Sequence, residues 1–181
     1  MPLTPALLAT TSDFLARGFA VSEPQAEAES LDYGAHTFHV NGLATAFRIA
    51  RTTPKKAGRF VTLWQRTAGG GGPIRPFDSS DGFELFVVSV SAGSEAGFWY
   101  FAFPQETLIT RGVVSRDFIG GKRAIRVYPP GSAPANRTAQ ATRRWQLEFY
   151  FPGNPSGSPA VNPMHGRFPP SLGEGRNEHQ V

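Results

Sequence analysis

The 181-residue chain contains no cysteine, which excludes disulfides, thiolate zinc sites and a cysteine nucleophile together. No apolar stretch approaches the ~18 residues that a membrane span requires. The start Met1-Pro2-Leu3-Thr4-Pro5 lacks the basic segment and long apolar run of a secretory signal. These absences predict a cytoplasmic protein with no membrane partner. Acidic residues are also missing, from two long stretches. Between Tyr33 and Phe77 there is no Asp or Glu but seven basic residues: Arg48, Arg51, Lys55, Lys56, Arg59, Arg66 and Arg75. Between Phe118 and Leu147 acids are again absent, with six more: Lys122, Arg123, Arg126, Arg137, Arg143 and Arg144. The block from Asp78 to Glu106 reverses sign, carrying Asp78, Asp81, Glu84, Glu95 and Glu106 and no Lys or Arg. A solubilising surface mixes the two signs, so this segregation points to a face for a polyanion, above all nucleic acid. The net charge is only +4, and the competing reading is a set of scattered, solvated arginines.

A composition of 40% hydrophobic and 12% aromatic residues suffices for one core. A single domain over 1–151 is expected. From Pro152 the chain turns to Pro, Gly, Asn and Ser, which cannot bury enough apolar surface to offset the entropy of ordering. Residues 152–181 read as a flexible, disordered C-terminal tail.

Thr4 to Phe19 has helical spacing, with Leu7, Leu8, Thr11, Phe14, Leu15 and Gly18 on one stripe. Glu23 to Leu31 reads as a short helix or an extended acidic link. Strands follow at Thr37 to Val40 and Leu43 to Ala50, around Asn41-Gly42, the dipeptide most strongly tied to type I′ hairpins. Arg59 to Gln65 alternates as a strand, and Phe83 to Val90 and Phe98 to Phe103 read as central strands. Pro104 to Arg111 suits a short helix stopped at Gly112. Ala124 to Tyr128 is a last strand, and Asn136 caps a final helix through Phe151. The fold class predicted is α+β, a central, mostly antiparallel or mixed sheet flanked by helices.

The most distinctive segment is Phe47-Arg48-Ile49-Ala50-Arg51-Thr52-Thr53-Pro54-Lys55-Lys56-Ala57-Gly58-Arg59-Phe60-Val61-Thr62-Leu63-Trp64. Downstream come Pro76-Phe77-Asp78, Asp81, Phe103-Pro104, Gly121-Lys122-Arg123, Arg126-Val127-Tyr128-Pro129, Trp145-Gln146 and Tyr150-Phe151. In this order, over roughly residues 27 to 151, the pattern resembles the MepB family of small bacterial proteins. The resemblance implies a restriction-endonuclease-like core and, through it, nucleic-acid binding. One departure is Gln105, where the family carries Lys after its Phe-Pro.

Read for chemistry, Thr52 to Gly58 is a loop between strands. Pro54 fixes φ there, and Lys55, Lys56, two hydroxyls and backbone amides could cradle phosphate. The plain alternative is a solvated hairpin loop that protects a sheet edge. Arg126 and Tyr128 share a strand face and could pair with phosphate and stack on a base; alternatively Arg126 pairs with Asp81 or Glu29 inside the fold. A nuclease of this core needs an Asp and an Asp/Glu-x-Lys around Mg²⁺, and the chain has no Asp/Glu-x-Lys. His36 and His39, three apart on a strand, point to opposite faces and cannot share a metal. The leading expectation is a nucleic-acid-binding protein without obvious catalysis and without a cofactor. Lys55, Lys56, Arg59, Lys122, Arg123 and Arg126 would meet phosphate, and Tyr128 or Trp64 would stack. The enzyme alternative is a Mg²⁺-dependent nuclease or phosphoryl-transfer enzyme using Asp78, Asp81 and Glu84. A third class is an interaction module whose basic face meets an acidic protein.

Overall fold

The computed structural model describes residues 3–27, 34–67, 72–91 and 98–153. The tail beyond Gly153, most of the glycine run and Glu29 lie outside the described residues. The main sheet has the order β1-β2-β3-β7-β8-β10, formed by Gln25–Ala26, His36–Val40, Leu43–Thr52, Leu85–Ser91, Phe98–Pro104 and Tyr150–Pro152. It is mixed. β3 and β7 run parallel, Thr45 opposite Leu85, and the remaining described pairings are antiparallel. From the far end of β3 the sheet extends through β4 (Arg59–Thr62) to β9 (Ala124–Val127). A separate hairpin joins β5 (Trp64–Arg66) to β6 (Ile74–Pro76). The α+β class holds, with helices on a mixed sheet.

Local chemistry sets several boundaries where the sequence puts them. Asn41 and Gly42 both take positive φ, 48° and 84°, so the β2–β3 turn is the left-handed type that matches strand twist. Helix α2 (Gln105–Thr110) starts after Pro104, and Gly112 takes φ 65° just beyond its end.

Elsewhere tertiary contacts override the local pattern. Helix α1 (Pro5–Ala16) begins at the Thr4 cap, whose hydroxyl accepts from the Leu7 amide at 3.3 Å. Its inner face is Ala6, Leu7, Thr10, Thr11, Asp13 and Phe14, whereas Leu8 and Leu15 of the expected stripe are exposed. Thr10 and Thr11 can be buried because their hydroxyls donate to Ala6 and Leu7 carbonyls at 2.8 and 3.0 Å. Asp13 can be buried because it accepts from the Tyr100 hydroxyl and the Arg17 Nε, each at 2.7 Å. Burial, then the Asp13 charge, pushes the Tyr100 phenol well above its ordinary value.

Of the two readings of 23–31, the described part takes the extended one as strand β1, because Gln25 and Ala26 pair with Thr37 and His36. Two further expectations are corrected. The single strand expected at 59–65 breaks at Leu63, whose amide donates to the Arg123 carbonyl at 2.8 Å while β5 turns away to pair with β6. The last helix, α3 (Arg137–Gln146), is shorter than expected, since Tyr150–Pro152 peels off as edge strand β10 against β8.

Two apolar clusters sandwich the sheet. One joins α1 to Phe38, Phe47, Leu85, Val87 and Phe151. The other holds Phe77, Phe86, Phe101, Phe103, Leu108 and Val127, with Trp145 and Phe149 from the α3 region packed against it. Truncating one such buried phenylalanine costs about 3–5 kcal/mol. These cores hold the β3–β4–β9 extension rigid at its root while its tip reaches solvent.

Candidate nucleic-acid interface

Directly opposed residues of neighbouring antiparallel strands share a face. Arg51 on β3 pairs with Phe60 on β4, and Phe60 pairs with Arg126 on β9. Three strands therefore set Arg51, Phe60 and Arg126 in one row. The other face of the extension carries Val61 and Val127 into the core. Phe60 is 36% exposed, so an aromatic ring stands at the surface between two guanidinium-bearing side chains. The alternation of β4 already placed Phe60 away from Val61 and Leu63; the larger Trp64 drew the sequence reading away from it.

The Thr53–Gly58 loop caps this row. Arg126 does not pair with Asp81, and Glu29 lies outside the described residues. Instead its Nη2 donates to the Thr53 hydroxyl at 2.6 Å and its Nη1 to the Ala57 carbonyl at 3.2 Å. One planar fork thus ties both limbs of the loop to β9. Arg59 donates to the Thr52 hydroxyl at the loop's root. Gly58 is fixed by geometry: at φ 75°, a Cβ there would lie 2.6 Å from the Tyr128 ring and 2.7 Å from the Val127 carbonyl. Lys55 sits at φ 61° near the tip, and Lys55 and Lys56 are exposed.

The other expected residues fall in different places. Lys122 and Arg123 are exposed on the approach to β9, where the Lys122 amide donates to Val113 and the Arg123 carbonyl accepts from Leu63. Tyr128 is only 8% exposed and its ring packs on Gly58, so it is a wall of the loop and not an open stacking surface. Trp64 is half-buried, with the Arg66 guanidinium 5.6 Å above its ring. Arg48, counted in the first basic block, is buried: its fork meets Glu27 at 2.9 and 2.8 Å and its Cζ lies 5.3 Å from the Phe77 ring.

The acids expected to hold Mg²⁺ under the nuclease reading do not converge. Asp78 is buried, and its two oxygens accept from the Ser115 hydroxyl, the Phe118 amide, the Ser80 amide and the Ser80 hydroxyl at 2.7–3.0 Å. Burial pushes its carboxyl up, but these donors together outweigh it and hold the group well below the usual carboxylate range. Asp81 takes a bidentate fork from Arg75 at 2.8 and 2.6 Å and also accepts from the Asp78 amide at 2.7 Å. Glu84 is turned to the Ala44 amide at 3.3 Å. Gln105, at the position of the family's lysine, donates to the Ser79 carbonyl at 3.2 Å. With their lone pairs already engaged, Asp78 and Asp81 do not fit a cation, and no three His, Asp or Glu side chains cluster among the described residues.

The MepB-like family model matches residues 27–152, which includes the row, the loop and both acids. The chain belongs to the MepB-like family. The crystal structure of MepB is 31% identical, covers 72% of this chain and 85% of its own, and superposes with a TM-score of 0.65. The bacterial homing endonuclease I-Ssp6803I is a looser likeness, 20% identical over 78% of this chain and 86% of that one, with a TM-score of 0.46. It fixes no residue's role here. No curated protein matches. Within the MepB-like region, no described helix is long and apolar enough to cross a membrane.

Proposed function

We propose that this MepB-like protein binds nucleic acid in the cytoplasm through the β3–β4–β9 face. The observation that carries the reading is the row Arg51–Phe60–Arg126 ending at the Lys55–Lys56 loop. Cationic side chains of this kind neutralise phosphates, and an exposed aromatic accepts a base in stacking. The loop is pre-shaped by Arg126, Arg59 and Gly58, so its lysines are presented without a large ordering cost on binding. Lys122 and Arg123, exposed just before β9, add cationic side chains on the approach to the strip. The cleavage reading gains nothing from the acids, whose oxygens are engaged within the fold.

Fluorescence anisotropy of labelled DNA and RNA against salt tests the proposal. Binding should weaken steeply with salt, and the Lys55→Ala, Lys56→Ala double variant should lower the log–log slope by about two. A flat salt response, or a partner set restricted to acidic proteins, would remove nucleic acid from the reading.

A further inference from the structure

The two most exposed large apolar side chains of the described chain are neighbours, Phe118 at 64% and Ile119 at 79%. They form the tip of a tight turn in which Asp117 and Phe118 both take positive φ, 53° and 61°. That backbone is unfavourable for a bulky residue such as Phe, yet four contacts hold it. Arg116 and Ile119 exchange backbone hydrogen bonds at 3.0 and 3.4 Å. The Phe118 amide donates to the buried Asp78 carboxylate at 2.8 Å, and the Arg75 guanidinium, itself locked by Asp81, lies 5.1 Å from the Phe118 ring. The chain thus maintains a strained turn whose outward product is two apolar side chains in water.

We infer that Phe118 and Ile119 form a wedge that enters between stacked base pairs of duplex DNA bound along the β4–β9 strip. The inference rests on the nucleic-acid reading above. Two side chains cover far less than the ~800 Å² per partner of a standard protein interface, whereas a pair of apolar side chains is what a single base step admits in minor-groove proteins that kink DNA. The surroundings match a polyanion. Arg116 precedes the tip, Lys122 and Arg123 follow it, and the chain continues into β9 and Arg126, so tip and row lie within ~28 Å of one another. Arg116 is loosely paired with exposed Glu106 at 3.4 Å, a contact that phosphate can displace. Asp117 is the one acid of the tip, and the left-handed backbone, which Asp tolerates, accounts for it.

A short DNA duplex with 2-aminopurine placed at successive steps provides the test. The wild-type protein should raise the probe's emission severalfold at one or two adjacent steps. The Phe118→Asn, Ile119→Ser variant keeps a residue suited to positive φ; it should bind within about threefold of wild type, since the phosphate contacts remain, and give no rise. The Lys55→Ala, Lys56→Ala variant should need more protein yet reach the same rise at saturation. Asp117→Asn should bind more tightly by about twofold or more as the local repulsion is lost. Duplex binding with no rise at any step, or a rise that survives in the tip variant, overturns the wedge while leaving nucleic-acid binding in place. Equal unstacking of an RNA duplex overturns the DNA assignment, and absence of all nucleic-acid binding removes both.

Discussion

The acidic elbow at Asp78–Asp81 and the basic loop at Thr53–Gly58 are both stapled by side chain to backbone or hydroxyl hydrogen bonds, but the charged groups play opposite parts. In the elbow the carboxylates are themselves the staples: Asp78 gathers four donors, and Asp81 caps the short turn while receiving Arg75. In the loop the staples are Arg126 and Arg59, and the lysines remain outside. A charge counted in a sequence is therefore not a charge offered to a partner. The acids are drawn into the fold because a carboxylate accepts several donors at once, and the lysines stay out because an ammonium on a long stem is easily hydrated.

The largest way to break this contrast is Asp78→Ala. It removes the acceptor of the Phe118 and Ser80 amides and leaves the Ser115 hydroxyl only the Phe77 carbonyl at 3.1 Å, and a loss of about 3 kcal/mol is expected. The melting temperature should fall by roughly 10 °C. An unchanged melting curve would show that the elbow's charge is not structural. The same carboxyl has its folded-state pKa depressed, so its stabilisation is present above the unfolded value near 3.8 and fades as pH drops below it toward the lower folded value. Acid unfolding of the wild type should steepen below about pH 4, and Asp78→Asn should flatten that limb.

Arg126→Ala is expected to act at intermediate size. Two hydrogen bonds to the loop vanish, costing about 1–2 kcal/mol locally. Amide exchange across 53–58 should quicken about tenfold, and affinity should fall with it. Arg126→Lys should restore neither, because a single ammonium cannot span Thr53 and Ala57 as the planar fork does. Rescue by lysine would mean that charge alone matters at this position.

The smallest effect separates the two roles most finely. Lys55 occupies a left-handed conformation that glycine adopts without steric cost, so Lys55→Gly should hold stability level or raise it by about 0.5 kcal/mol while weakening nucleic-acid binding. Stability and affinity moving in the same direction would indicate that the lysine is part of the fold.

Sequence reading succeeded where the determinant lies within a few residues. Asn41-Gly42, Pro104 and Gly112 each carry their backbone geometry with them. It failed where a distant partner decides. Leu63 leaves its strand because the Arg123 carbonyl takes its amide, and Tyr150 leaves helical structure because β8 offers a free edge. Leu8 and Leu15 face solvent because Asp13 and two threonines found partners that allowed a polar side inward. Within the site, the loop and its lysines were legible from Pro54 and Gly58. The register that brings Phe60 between two arginines needed three strands in place.

The parallel pairing of β3 with β7 has a consequence for how the chain assembles. Antiparallel neighbours can zip from a short turn, but β3 and β7 meet only after residues 53–84 have looped back across the sheet. Closing a connection of that length costs about 3 kcal/mol of chain entropy before any contact repays it, and non-local pairing of this kind slows folding. The crossover carries the Thr53–Gly58 loop, β4, the β5–β6 hairpin and the acidic elbow. A nascent chain halted before β7 thus holds Arg51, Lys55 and Lys56 without the central sheet and β9 that line them up with Arg126.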